Sequence, residues 1–462
     1  KNQDLRFKFE KKMKTIFKYL IYLSLILFFL IFISLWNLVS DGYDKQNKII
    51  LKLKEIIPRS VAVKVRDTLF VIPELKTRNK LLELQVNKYE QGLQGQLFNE
   101  RKIISNNNKE FILKQFFLPF KQLDINAGWN KLSNTFRAHY IEVINDKVII
   151  LSGEGKVIQF DKENINKEKL DQKVIDTNIF KLAKEENFEF FGVRDILYDD
   201  NKIYVSMIIK NSKGFTMNIY QADYNLNYLE FSIFFEKNEF TKKYTIQTGG
   251  RLNKFKNNKI LFSLGTAESA KDKAQNIDYL EGKIIAIDKF TKEFEILSLG
   301  HRNPQGLIFV EENNLIINSE HGPKGGDEIN LNFINDSKEI SNFGWPIASY
   351  GIEYDGSDPY KKSHKKYGFI EPFKNFSNSI GISEILYLKD SNFFEENFLT
   401  VSSLRASSIY LLKVDNSFSK ILSEDRIFFS NQRIRDIEYD KNLNVIFIIF
   451  EVTPSIGVLS LN

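Results

Sequence analysis

Four arginines and one acidic turn are the residues of this chain best equipped for chemistry. Arg302 lies in Gly-His-Arg-Asn-Pro-Gln-Gly-Leu (300–307), Arg405 in Ser-Leu-Arg, and Arg433 and Arg435 in Arg-Ile-Arg-Asp. Arg433 and Arg435 are two apart, which on a strand puts both guanidinium groups on one face. Several such forks aimed at one cavity suit a polyanion, because each can hold a carboxylate bidentately. Taken singly, each reads more simply as a solvated or Asp-paired surface residue. The turn Gly322-Pro323-Lys324-Gly325-Gly326-Asp327-Glu328 sets carbonyls exposed by Gly and Pro beside two hard carboxylates. That donor set suits Ca²⁺, although Asp327 or Glu328 can equally cap a turn. His301 and His321, two of only four histidines, have no partner at metal-ligand spacing, which argues against zinc.

These residues need a scaffold that brings distant loops together. The Arg302 and Asp327 turns flank the apolar run Asn314-Leu315-Ile316-Ile317, a short buried strand with a cationic loop at one end and an acidic loop at the other. A polar Asn/Asp/Lys turn followed by an apolar strand recurs at Val148, Ile203, Ile260, Leu315, Phe398 and Val445, at intervals of 55, 57, 55, 83 and 47 residues. Each interval is long enough for a four-stranded blade, so the pattern predicts an all-β fold, a six-bladed β-propeller. The 83-residue interval carries an insertion at Asn342 to Phe376, rich in Gly, Asp, Ser and Tyr, where loop-borne function is expected.

The propeller is expected over 131–462. Ahead of it, Tyr19 to Ser40 carries no charge through 22 residues, enough to cross a bilayer. The preceding residues 1–18 hold seven Lys/Arg against Asp4 and Glu10, a net charge of +5, which predicts a cytoplasmic basic tail. Ser34-Leu35-Trp36-Asn37 supplies no small-residue cleavage site, so 19–40 reads as an uncleaved transmembrane anchor. The expected location is the inner membrane, single-pass, with the propeller in the periplasm. Residues 41–130 read as a stalk or adaptor, including a spacer helix from Pro73 to Gln91. Of the formal charge of +6, +5 sits in the tail and +1 remains, so a nucleic-acid role has no electrostatic basis. With no Cys there is neither a disulfide framework nor a thiolate metal site.

The motifs at 300–307, 319–331 and 342–346 together resemble the signature of the soluble PQQ-dependent aldose sugar dehydrogenases, the glucose/sorbosone dehydrogenase family. The likeness extends through Gly249-Gly250-Arg251-Leu252, Ala274-Gln275, Ser403-Leu404-Arg405 and Arg433-Ile434-Arg435-Asp436, and covers roughly 190–462. The resemblance implies a six-bladed propeller with PQQ, a tricarboxylate quinone, at the channel mouth. It places Arg302, Asn303, Arg433 and Arg435 around PQQ, with Arg405 where the family commonly has Lys. It also gives the Gly322 and Pro323 carbonyls to a Ca²⁺ that polarises the quinone, and the Asp327-Glu328 region to a structural Ca²⁺.

The implied activity is oxidation of an aldose at C1, with a sugar as substrate, the membrane as the other partner, and no electron acceptor named by any residue. Its catalytic half is altered. The family's base is a His two residues before Gly-Gly-Arg, supported by an Asp that ends a Leu-Gly-Asp turn; here those positions are Gln247 and Thr266. An amide has no useful pKa near neutrality, and losing a general base costs about a hundredfold or more in rate. Gln247 and Arg302 are therefore the residues on which catalysis would turn. A catalytically silent propeller that binds a carbohydrate or an envelope partner is the rival expectation, and His139 is a candidate replacement for the missing base.

Overall fold

The computed structural model describes residues 94–120, 138–335, 339–389, 391, 393–394 and 396–462. All of these belong to the compact unit Glu83–Asn462. The basic tail, the anchor at 19–40 and the stalk before residue 94 lie outside the described residues. Among the described residues no helix is long and apolar enough to cross a membrane.

The described chain forms six sheets, antiparallel but for a short outer strand in two of them, whose first strands are His139–Ile144, Glu189–Asp199, Gly249–Phe255, Pro304–Val310, Ile382–Leu388 and Ile434–Asp440. Each first strand packs beside the next, and Ile434–Asp440 packs against His139–Ile144, so the six close a ring around a central channel. This is the predicted all-β, six-bladed propeller. The sheets are called blades I to VI in this order.

The recurring polar turn is the hairpin between the first and second strand of each blade. The second strands, Lys147–Ser152, Lys202–Asn211, Lys259–Leu264, Leu315–Glu320, Phe398–Ser403 and Val445–Phe450, contain the six periodic residues. The turns are rich in Asn and Asp because they need a left-handed backbone: φ is 54° at Asn145, 48° at Asp200, 57° at Asn257, 47° at Asn314 and 53° at Asn444. A short polar side chain tolerates that region far better than a branched one. The second strands are apolar without alternation because a neighbouring blade covers each face. Phe447 packs toward blade I and Ile448 toward blade V, and every residue of Val445–Phe450 is buried. One such apolar layer lies between each pair of adjacent blades.

The expected boundary at 131 is corrected by blade VI. Glu110–Phe117 pairs antiparallel with Ser455–Leu461, and Leu97–Ile104 pairs outside it, so residues read as stalk supply the two outer strands of the last blade. Phe111, Leu113 and Phe116 are fully buried there, which makes this segment part of the core. The insertion leaves blade IV between its third strand, Asp327–Phe333, and its fourth, Lys374–Phe376. On the way Ser341–Asn342 pairs in parallel with Ser298–Leu299 of blade III and leads the chain to Trp345, beside Arg302.

Candidate active site

Arg251 marks the channel axis. Its Nη1 donates to Asp195 at 2.8 Å, its Nε to the Gln305 carbonyl at 2.6 Å, and its Nη2 lies 2.7 Å from Glu384 and 3.3 Å from Asp436. Its guanidinium carbon also sits 5.0 Å from the centre of the Tyr140 ring. Tyr140, Asp195, Gln305, Glu384 and Asp436 belong to blades I, II, IV, V and VI, and Arg251 itself to blade III. One side chain therefore touches the first strand of every other blade. Its charge is outnumbered by three carboxylates, and burial pushes Asp195 up to about 7 despite Arg251. Burial likewise holds Glu384 well above the usual carboxylate range.

Above this floor the strand entries of blades III, IV and VI converge. Buried Glu320 receives the backbone amides of Arg302 and Asn303 on one oxygen, and His301 Nδ1 at 2.9 Å on the other. The loop bearing Arg302 is thus fixed by a carboxylate one strand away. The Arg302 Nη1 donates to the carbonyls of His321 and Gly322, both at 3.1 Å, and the guanidinium lies 5.3 Å from the Trp345 ring centre. Asn303 Oδ1 accepts from the Gly249 amide at 3.1 Å.

Gln247 reaches the same guanidinium. Its side-chain oxygen accepts from Arg302 Nη2 at 2.9 Å and its nitrogen donates to the Thr266 carbonyl at 3.0 Å. The Thr266 hydroxyl donates to the His301 carbonyl at 2.7 Å. Gln247, Thr266 and Arg302, distant in sequence, are thus one hydrogen-bonded group.

Arg433 and Arg435 do fall on one face, and a residue that no motif singled out joins them. Glu451, fully buried, accepts from Arg433 Nε at 2.8 Å and from Arg435 Nε at 2.7 Å, while Arg435 Nη1 donates to Gln305 at 2.9 Å. His321 stands near these cations: burial first, then the charges of Arg435, Arg302 and Arg433, push it down to about 3. It is neutral at any ordinary pH and too weak a base to replace the missing histidine. His139 is no substitute either. It is buried against Phe120, and burial lowers it to about 4.

Arg405 is exposed at the entry of blade V, where its backbone amide donates to the Ile380 carbonyl at 2.9 Å and its side chain to the Ser379 carbonyl at 3.2 Å.

The acidic turn differs most from expectation. Asp327 accepts from the amides of Gly381 at 2.7 Å and Ile382 at 3.3 Å, so its carboxylate ties blade IV to the entry of blade V. Burial raises it to about 6, against the pull of those amides. Glu328, next along the same strand, points to the opposite face, toward His364 Nε2 at 3.9 Å. The two carboxylates cannot share one ion, and among the described residues no cluster of three or more acidic or histidine side chains could hold a metal. The Pro323 carbonyl accepts from the Gly326 amide at 2.9 Å, and the Gly322 carbonyl is taken by Arg302.

A tricarboxylate suits the cationic side better than a metal suits the acidic one. Arg433 and Arg435 share one buried carboxylate, Glu451, while Arg302 has exposed Glu268 at 4.0 Å and buried Glu320 on its backbone amide. Among the described residues the Arg302 Nε is buried without a hydrogen-bond acceptor. The mouth therefore offers three guanidinium groups and at least one idle donor.

The sequence pattern of the glucose / sorbosone dehydrogenase family matches residues 192–454, which is 263 of 462 residues and spans the site just described. The chain belongs to this family. It is 31% identical over 205 residues to aldose sugar dehydrogenase YliI of Escherichia coli (strain K12), covering 41% of this chain and 53% of that protein, so it spans about half the length of this relative. Among solved structures, the apo-form of the soluble aldose sugar dehydrogenase of Escherichia coli is similar with a TM-score of 0.56 at 20% identity, covering 70% of this chain and 96% of that one. The PQQ-bound aldose sugar dehydrogenase of Streptomyces coelicolor is similar with a TM-score of 0.50 at 15% identity, covering 70% and 98%. At these identities the structural likeness speaks for the propeller, whereas the family match rests on sequence.

Proposed function

We propose that this member of the glucose/sorbosone dehydrogenase family binds PQQ at its channel mouth and oxidises an aldose at C1, as a membrane-anchored protein with its propeller in the periplasm. One observation carries the reading: Arg302, Arg433 and Arg435 stand around His321 at one mouth, where Arg433 and Arg435 share the buried carboxylate of Glu451. Arg433 and Arg435 would take carboxylates of the ligand, and Arg302 and Asn303 would face its quinone end. When bound, PQQ supplies the two-electron acceptor for the alcohol. Arg302 and the idle donor on its Nε are placed to stabilise negative charge that develops there.

The proton of the C1 hydroxyl has no efficient acceptor among the described residues of the site. Gln247 is an amide already engaged at both ends, His321 is too weak a base, and Thr266 is a hydroxyl committed to the His301 carbonyl. Proton removal would fall to water at the mouth, so the reaction is expected to be slower than in a His-bearing relative by about a hundredfold or more. The double engagement of Gln247 also favours a second reading, a propeller that binds PQQ or a carbohydrate without turnover.

The test is to add PQQ to the purified chain, record a stoichiometric cofactor spectrum, and follow sugar-dependent dye reduction. Slow reduction that requires both PQQ and an aldose is the expected result. Binding without reduction would leave the silent propeller, and absence of PQQ binding would remove the cofactor reading altogether.

A further inference from the structure

The carbonyl pair at His321 and Gly322 has a cation already. Arg302 Nη1 donates to both at 3.1 Å, and the guanidinium is held on its remaining sides by Gln247 at 2.9 Å and by the Trp345 ring at 5.3 Å. Arg302 is 5% exposed, so it is part of the wall and cannot swing aside into solvent without breaking all three contacts.

Other oxygens of this neighbourhood are also committed, Glu328 excepted, whose carboxyl is held well above the usual range by burial and the charges of Glu320, Asp327 and Glu371. Glu320 spends one carboxylate oxygen on the amides of Arg302 and Asn303, and the other on His301 at 2.9 Å and Asn318 at 3.4 Å. Asp327 is filled by the amides of Gly381 and Ile382, and the Pro323 carbonyl by the Gly326 amide. A Ca²⁺ ion takes six to eight oxygens, water and ligand oxygens among them, and the protein oxygens that the resemblance would give it, the Gly322 and Pro323 carbonyls and Asp327, are already engaged. The same device occurs in the insertion. Lys362 Nζ donates to the carbonyls of Ser349 at 3.0 Å and Gly351 at 2.5 Å and pairs with Asp358 at 2.8 Å. There too an organic cation gathers backbone carbonyls of a Gly-rich turn.

We infer that the Arg302 guanidinium takes the Gly322 carbonyl that the family resemblance gives, with that of Pro323, to Ca²⁺, and that anion binding at this mouth is independent of divalent cations. The inference refines the PQQ reading, but the first half of its test does not depend on it. Calorimetric titration of the full chain with CaCl₂ alone should show no stoichiometric binding up to about 1 mM, within the range of weak extracellular Ca²⁺ modules. Stoichiometric uptake of Ca²⁺ within that range would overturn the inference. PQQ affinity should agree within twofold between EDTA and CaCl₂. Binding seen only with Ca²⁺ would also overturn it. If PQQ binds in neither buffer, the cofactor reading falls, while uptake in the CaCl₂ titration would still overturn the inference.

Discussion

The side-chain oxygen of Gln247 accepts from Nη2 of Arg302 at 2.9 Å, and the amide nitrogen spans to the Thr266 carbonyl. The position where the family resemblance expects a base is here a strut for a cation. Gln247→His should restore an acceptor with a pKa near neutrality and raise PQQ- and sugar-dependent dye reduction by about a hundredfold. Adding Thr266→Asp should gain little and lower the unfolding free energy by about 1–3 kcal/mol, because an ionised carboxylate cannot donate to the His301 carbonyl as the Thr266 hydroxyl does. No gain from Gln247→His would mean that more than the base has been lost.

Glu451 and the two arginines it holds separate binding from stability. Arg433→Ala should weaken PQQ by about 1.5–3 kcal/mol, the worth of a charge-assisted contact. Glu451→Gln should instead lower the unfolding free energy by about 3–5 kcal/mol, since it leaves two adjacent guanidinium groups without their buried counter-charge. Equilibrium denaturation and PQQ titration on both variants check the pair.

The channel carboxylates predict a pH dependence of stability. Asp195 is pushed up to about 7 and Glu438 up to about 8, in both cases chiefly by burial, so the folded state holds protons that the unfolded chain has released above about pH 4. Stability from these groups is full at low pH and is lost as pH rises through 7 and 8. His139 and His321 act oppositely, because they are neutral when folded, at about 4 and about 3, and gain protons only on unfolding. Their effect ends above about pH 6.5, the unperturbed histidine value. Between pH 6.5 and 8 the carboxylates act alone and the midpoint of urea unfolding should fall. Asp195→Asn should flatten that slope; an unchanged slope would place the titrating groups elsewhere.

Asp327 offers a test of the acidic turn that needs no ligand. Asp327→Ala bares the amides of Gly381 and Ile382 and should cost about 1–3 kcal/mol of stability, equally in EDTA and in CaCl₂. A loss seen only in CaCl₂ would restore a metal role to this residue.

The repeat was legible because its marker is local: a left-handed hairpin residue selects Asn or Asp, and a strand covered on both faces selects an unbroken apolar run. Residues 97–117 escaped because their partner, Ser455–Leu461, lies far away in sequence and outer strands carry no turn of the repeating kind. Arg302, Arg433 and Arg435 were readable from motifs, and the structure brings them to one side of the channel. Glu320, Glu451 and the part played by Arg251 were not, since a carboxylate that serves a loop on another strand leaves no spacing to notice. The Asp-Glu pair misled for the converse reason: adjacency in sequence suggested one site, and strand geometry sends the two side chains to opposite faces.

The outermost strands of blade VI have a consequence for biosynthesis. Residues 97–117 leave the ribosome before the first strand of any blade, yet their sheet partner, Ser455–Leu461, follows more than 300 residues later. Until then Phe111, Leu113 and Phe116, fully buried in the finished protein, have no lasting shelter, and the pairing edge of Glu110–Phe117 is open to any strand that passes. A nascent chain stalled before residue 455 would already hold the inner strands that meet blade I and still leave that edge uncovered.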